Sequence, residues 1–143
     1  MQKNSVLDIL NGELLGKELI KVDNNILKTV KFIGIYFSAH WCPPCRGFTP
    51  TLASFYNEIN KEEKQMEIIF ATCDRDEDQF KEYFNEMPWL TLPFGDERIE
   101  TLSGEYNCAG IPYLVVIKPD GTLVSKKGRN EVSLGVSAAL KQW

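Results

Sequence analysis

The sequence predicts an α/β fold with a central mixed β-sheet flanked by helices on both faces. Three apolar runs at 32–37, 66–72 and 113–117 have the length and continuity of buried strands. Segments whose apolar residues recur at helical spacing separate these runs. The turn signal at 119–121, Pro-Asp-Gly, then returns the chain as a hairpin. Strand–helix–strand units that end in a hairpin and a helix give a mixed sheet.

Composition sets the broad class. The chain has 143 residues, 43% of them hydrophobic and 25% charged, which suits one domain over residues 1–143 with a real core. A net charge of −4 and a pI of about 5.1 argue against a nucleic-acid partner, because no broad basic face can be built. No apolar run approaches the roughly 18 residues of a membrane span, and no targeting signal is evident. We therefore expect no membrane partner and a cytoplasmic location, and a nuclear pool stays open.

The elements follow in order along the chain. Residues 5–10 can form a short helix, and 13–22 have the rhythm of a short strand pair. After the first buried strand, helical spacing begins just beyond Cys42. The remaining predicted elements are a strand at 66–72, helices at 76–86 and 96–106, a strand at 113–117, its hairpin partner at 122–125 and one closing helix at 130–142 with Val132, Val136, Leu140 and Trp143 facing inward.

The chemistry centres on the segment Trp41-Cys42-Pro43-Pro44-Cys45 at a strand-to-helix junction. A thiolate at Cys42 would lie at the helix start, where the dipole and free N–H groups favour an anion, so its pKa should be depressed. Cys45 lies in the first helical turn and can reach Cys42. Pro43 and Pro44 fit there because their missing N–H groups cost little. Trp41 adds apolar surface beside the reacting sulfur.

Other interpretations of the cysteine pair remain. A zinc site needs a second ligand pair, yet Cys73 and Cys108 are far apart in sequence and His40 is the only histidine. Iron–sulfur ligation needs further thiolates as well. An inert disulfide is disfavoured by a reducing compartment and a very short loop. The spacing favours a redox pair, with no metal and no organic cofactor.

The chain resembles the thioredoxin superfamily, and within it tryparedoxins and nucleoredoxins. The segment from Tyr36 to Pro50, which contains WCPPC, is similar to the tryparedoxin active site. The stretches at 74–77, 87–90 and 127–132 look more like nucleoredoxin. The resemblance implies the thioredoxin fold, with Cys42 attacking a substrate disulfide and Cys45 resolving the mixed disulfide.

The resemblance also implies roles for a loop opposite the redox pair. There Ile111 and Pro112 would be joined by a cis bond, leaving the Ile111 backbone free to pair with an extended substrate. Together with Trp41, Pro43 and Pro44, these two residues form the expected substrate-binding set. Tyr36 stands where thioredoxin carries a buried acid, so the acceptor for the Cys45 proton is open between water, the Tyr36 hydroxyl and another acid.

Three more residues each have two interpretations. His40 could favour the Cys42 thiolate when protonated, or lie solvated in a loop, which is favoured. Cys73 and Cys108 could be regulatory thiols near the redox edge, although unreactive small apolar residues are favoured.

The expected function is that of a monomeric protein-disulfide reductase that cycles Cys42 and Cys45 between dithiol and disulfide. Its partners would be disulfide-containing proteins and an upstream thiol or dithiol donor. The alternative is a redox-sensitive binding regulator of nucleoredoxin type with little turnover.

Overall fold

A seven-stranded mixed sheet forms the centre of the computed structural model, which describes residues 10–143. The helix predicted at residues 5–10 therefore lies almost wholly outside the described residues. The strands are β1 (Leu14–Leu15), β2 (Lys21–Val22), β3 (Phe32–Ser38), β4 (Met66–Thr72), β5 (Leu90–Thr91), β6 (Tyr113–Ile117) and β7 (Leu123–Ser125). Their order across the sheet is β2-β1-β5-β4-β3-β6-β7. β3 runs parallel to β4 and antiparallel to β6, so the mixed sheet predicted from the sequence is confirmed.

Helices cover both faces of this sheet. They are α1 (Pro43–Ile59), α2 (Glu77–Phe84), α3 (Arg98–Glu105), α4 (Gly128–Ser133) and α5 (Val136–Gln142). Side chains alternate along a strand, so Tyr36 joins the core shared with α1 and α2 while its neighbour Ile35 joins the core shared with α3. Burial on both faces explains why β3, β4 and β6 are mostly apolar along their whole length.

The C-terminal segment corrects one prediction. The sequence predicts a single helix over 130–142, but the chain forms two short helices separated at Gly135. Gly135 has a φ of +101°, a conformation that glycine adopts without steric cost and that commonly ends a helix. The break also turns Leu140 outward, where it is 38% exposed instead of buried.

A small hairpin lies at the other edge of the sheet. β1 and β2 pair antiparallel, which confirms the strand pair predicted at 13–22. Glu18 and Leu19, with φ values of 58° and 60°, form the centre of its turn, which the Ile20 N–H closes with the Lys17 carbonyl at 3.2 Å. The hairpin joins the sheet through the β1–β5 pair Leu15 and Thr91. The sequence predicts no strand at β5, because two residues are too few for an alternating pattern.

Over residues 10–143, the helices are all too short or too polar to cross a membrane.

Candidate redox site at the start of helix α1

Cys42 and Cys45 are joined by a disulfide at the point where α1 begins. Cys42 is the N-cap residue in extended conformation, and Pro43 and Pro44 occupy the first two helical positions. Because neither proline has an N–H group, the Cys45 backbone N–H is the first one the helix can offer to a thiolate at Cys42. The sequence predicts this placement of all four residues, and the structure has it.

The two sulfur-bearing residues differ in access. Cys42 retains 5% of its accessible surface and Cys45 retains none. Trp41 is 50% exposed beside them, and Pro43 and Pro44 are exposed as well. Of the two, Cys42 is therefore the one that the sulfur of an external thiol or disulfide would reach, and apolar surface surrounds it.

The loop before β6 faces this pair. The Ile111–Pro112 peptide bond is cis, as the resemblance implies. The Ile111 carbonyl oxygen lies 3.9 Å from the Cys42 sulfur, and the Ile111 side chain packs against the cluster of Ala39, Cys42 and Cys45. Pro112 is buried while Ile111 is half-buried, so Ile111 is the more accessible member of the pair.

A network of buried hydroxyl groups lies beneath the redox pair. The Thr49 hydroxyl donates to the Cys45 carbonyl oxygen at 2.9 Å. Thr49 Oγ1 also lies 2.7 Å from the Tyr36 hydroxyl and 2.6 Å from the Tyr83 hydroxyl. Ser38 Oγ completes the network at 2.6 Å from the Tyr83 hydroxyl. The sequence does not predict this role for Thr49 or Tyr83, although Thr49 is marked by its four-residue spacing from Cys45.

The donors in this network can be assigned by counting hydrogens. A carbonyl oxygen only accepts, so the single Thr49 hydroxyl hydrogen points to Cys45. Tyr36 and Tyr83 must then donate to Thr49, and Ser38 must donate to Tyr83. Burial, helped by the proximity of Tyr83, raises the pKa of Tyr36 well above its ordinary value. Tyr36 therefore stays protonated near neutral pH with its hydrogen committed to Thr49.

The loop that precedes the motif is held by an acid, Asp74, whose role the sequence does not predict. Asp74 Oδ1 accepts the His40 backbone N–H at 2.8 Å, and its Oδ2 accepts the Thr72 hydroxyl at 2.9 Å. Asp74 is 8% exposed. The half-buried His40 ring lies edge-on to Tyr83, with centroids 5.7 Å apart. Asp74 thus fixes the end of β4 to the start of the redox loop.

The two remaining cysteines are close to the same site. Cys73 follows β4, and its side chain packs against the cluster of Ala39, Cys42 and Cys45. Cys108 lies in the loop that leads to Ile111, with its sulfur 3.5 Å from the Gly110 carbonyl oxygen. Burial, together with nearby Cys108 and Asp74, raises the pKa of Cys73 to about 11. A groove of about 730 Å³ opens between Cys73 and helix α3.

In the part of the chain that the structure describes, His, Cys, Asp and Glu side chains do not come together in groups of three or more that could hold a metal ion.

The fold and the Cys-x-x-Cys centre define a thioredoxin-fold protein. The model of a family described as thioredoxin-like matches residues 30–123, and the chain belongs to this family. Within it, the relatives place the chain in the branch of nucleoredoxins and tryparedoxins, as the sequence motifs predict.

Three relatives illustrate this placement. Nucleoredoxin from Bos taurus is 43% identical over 87% of this chain and 29% of its own length. Tryparedoxin I from Crithidia fasciculata is 37% identical, covers 89% of both chains and has a TM-score of 0.81. Thioredoxin from Wuchereria bancrofti is 40% identical over 94% of this chain and 95% of its own, also with a TM-score of 0.81. The chain thus spans under a third of the bovine nucleoredoxin, and these relatives support the class of thiol–disulfide oxidoreductases.

Proposed function

We propose that this protein reduces disulfide bonds in other proteins through a dithiol–disulfide cycle of Cys42 and Cys45. The observation that carries the proposal is the bonded pair at the N-terminus of α1, with Cys42 as the more accessible sulfur. A helix N-terminus stabilises the thiolate, which is the nucleophile in disulfide exchange.

The cycle follows from the placement of the two sulfurs. The Cys42 thiolate attacks one sulfur of the substrate disulfide, so a Cys42–substrate bond forms and the other substrate sulfur leaves as a thiolate. Cys45 then gives its proton to the first substrate thiolate and attacks the Cys42 sulfur, which forms the Cys42–Cys45 bond and releases the second substrate thiolate. An upstream thiol or dithiol donor returns two electrons and two protons to the pair.

The residues around the pair would hold the substrate. Trp41, Pro43 and Pro44 offer exposed apolar surface next to Cys42. The Ile111 backbone, 3.9 Å from the Cys42 sulfur, would pair with an extended substrate segment, while the buried Pro112 shapes this loop. Tyr36 would support the redox pair indirectly, through its hydrogen bond with Thr49. His40 would do so through its place in the redox loop, where its backbone N–H donates to Asp74.

An insulin-reduction assay with dithiothreitol as donor tests the proposal. We expect turnover by the unchanged protein and none above the donor background by Cys42→Ser. Cys73→Ser is the matched control, because it leaves the Cys42–Cys45 pair intact and dithiothreitol reduces that disulfide directly. Equal rates for the unchanged protein and Cys42→Ser would refute the proposal.

A second candidate is a redox-sensitive binding module. The observation in its favour is Trp41, a large apolar side chain left 50% exposed beside the pair. Cys45→Ser separates the candidates because it cannot resolve a mixed disulfide. Trapping of many proteins supports the reductase, whereas one stoichiometric partner whose capture depends on oxidation supports the binding module.

The proposal includes one domain, a cytoplasmic location and a monomer. One sheet that includes strands from β1 to β7 supports a single domain over 1–143. Two free thiols, Cys73 and Cys108, fit a reducing compartment. Light scattering measures the oligomeric state directly.

A further inference from the structure

All four cysteines of the chain lie around the segment that presents Ile111. The Ile111 oxygen is 3.9 Å from the Cys42 sulfur, and Ile111 and Cys73 pack against the same cluster of Ala39, Cys42 and Cys45. Cys108 lies three residues before Ile111 and contacts the Gly110 carbonyl oxygen. Cys73, Cys108 and Ile111 also pack against the apolar core on the α3 face of the sheet. Cys73 therefore packs against the redox disulfide, and Cys108 lies close enough to Cys73 to raise its pKa.

We propose that Cys73 and Cys108 are a second redox pair, which passes two electrons to the Cys42–Cys45 disulfide by internal thiol–disulfide exchange. This inference rests on the proposed function, since it concerns how the same centre is reduced.

The exchange consists of two displacements. The Cys73 thiolate attacks the Cys42 sulfur, so that a Cys73–Cys42 bond forms, the Cys42–Cys45 bond breaks and Cys45 leaves as a thiolate. The Cys108 thiolate then attacks the Cys73 sulfur, which forms a Cys73–Cys108 disulfide and releases Cys42. Two thiols are oxidised and two are formed, and the two protons lost by Cys73 and Cys108 balance those gained by Cys42 and Cys45.

The environments of the two pairs set the direction of electron flow. A dithiol whose thiolate is stabilised has a more oxidising disulfide, and a dithiol whose thiolates are destabilised is the stronger reductant. Cys42 lies at a helix N-terminus, which favours its thiolate. Burial raises the pKa of both Cys73 and Cys108, and the proximity of Cys108 adds to the effect at Cys73. Electrons therefore move from Cys73 and Cys108 to the redox disulfide.

Access to Cys73 and Cys108 is compatible with this exchange. Both residues are half-buried, and Cys73 also borders the groove of about 730 Å³ beside α3. Because burial raises the pKa of Cys73 and Cys108 while the start of α1 favours the Cys42 thiolate, Cys42 is the thiol that more readily attacks an external disulfide. The second pair would thus act after the first has reduced a substrate.

Electron counting tests this inference. The protein is fully reduced, freed of reductant and mixed with excess oxidised insulin without any donor. We expect about two insulin disulfides reduced per molecule of unchanged protein, and one per molecule of Cys73→Ser or of Cys108→Ser. Non-reducing peptide mass spectrometry after acid quenching should then show a Cys73–Cys108 linkage in the unchanged protein.

The result that overturns the inference is one disulfide reduced by the unchanged protein, or any final pairing other than Cys42–Cys45 with Cys73–Cys108. Steady-state insulin reduction with dithiothreitol, measured on the same samples, reports the proposed function separately. Normal turnover of all three proteins together with a count of one refutes the second pair and leaves the reductase standing. Absence of turnover in all three refutes both.

Discussion

Thr49 lies one helical turn beyond Cys45, and its hydroxyl donates a 2.9 Å hydrogen bond to the Cys45 carbonyl oxygen. The same oxygen atom of Thr49 is the acceptor for Tyr36 and Tyr83. Three buried groups therefore depend on one hydroxyl. Since a buried polar group without a partner costs free energy, Thr49 should contribute to stability well beyond its size.

Thr49→Val keeps the shape of the side chain and removes the hydroxyl. It leaves the Tyr36 and Tyr83 hydroxyls without their acceptor, so we expect a loss of about 2–4 kcal/mol in the free energy of unfolding. Urea denaturation measures it, with Thr49→Ser as the control that keeps the hydroxyl. A Thr49→Val protein as stable as Thr49→Ser would show that the hydroxyls find other partners.

Gly128 packs too closely against β6 to accept a side chain. A Cβ atom there would lie 2.7 Å from Leu114 Cγ and 2.8 Å from the Leu114 carbonyl oxygen. We expect Gly128→Ala to destabilise the protein by about 1–3 kcal/mol, because the strand backbone cannot move aside cheaply. Gly104→Ala is the matched control in helix α3: its Cβ meets nothing within 4 Å, and we expect a gain of about 0.5–1 kcal/mol. Thermal melts that rank the two variants the other way would contradict this packing.

Glu18 in the β1–β2 turn has an unfavourable backbone conformation that a substitution can relieve. Glu18 is exposed and has a φ of 58°, in the left-handed region that asparagine tolerates better. Glu18→Asn should therefore raise the free energy of unfolding by about 0.5–1 kcal/mol. Lys17→Asn, one residue earlier and also exposed, should give no such gain. Equal effects of the two changes in urea denaturation would argue against relief of strain at Glu18.

The raised pKa of Cys73, about 11, predicts a shifted pH dependence of its alkylation. In the oxidised Cys108→Ser protein, Cys73 is the remaining free thiol, and burial, the largest cause of its raised pKa, is retained. A raised pKa means less thiolate at any pH below it, so iodoacetamide should react slowly at pH 7.5 and about tenfold faster per pH unit above that. Mass spectrometry follows the adduct, with glutathione alkylation as the reference. A rate that levels off near pH 9 would mean that Cys73 keeps the ordinary pKa of 9.0.

The sequence predicts the sheet better than the site. β4 and β6 match their predicted bounds, and β3 extends one residue further, to Ser38. These strands are buried on both faces, so each appears as a mostly apolar run, although β4 includes the buried Glu67. The closing helix fails because Gly135 interrupts an apolar pattern that continues on both sides of it. The two residues of β5 carry no strand pattern of their own, and only their pairing with β1 and β4 defines the strand.

The redox pair is visible in the sequence because its chemistry depends on local spacing. The groups that support it are not, since Tyr83 and Thr49 are 34 residues apart, as are Asp74 and His40. Only the parallel pairing of β3 with β4, and the packing of α1 and α2 on one face, bring these side chains together. Tyr36 is an example: its position before the redox motif can be read from the sequence, whereas its hydrogen bond with Thr49 depends on the packing of α1 against β3.

The single link between Leu15 and Thr91 divides the sheet into two regimes of amide hydrogen exchange. The β1–β2 hairpin can open by breaking few backbone hydrogen bonds, so its amides should exchange through local opening at a low free-energy cost. β3 lies between β4 and β6, with five or more paired residues on each side. Its amides are therefore released by global unfolding, and the strand that leads into Cys42 is the most protected part of the sheet.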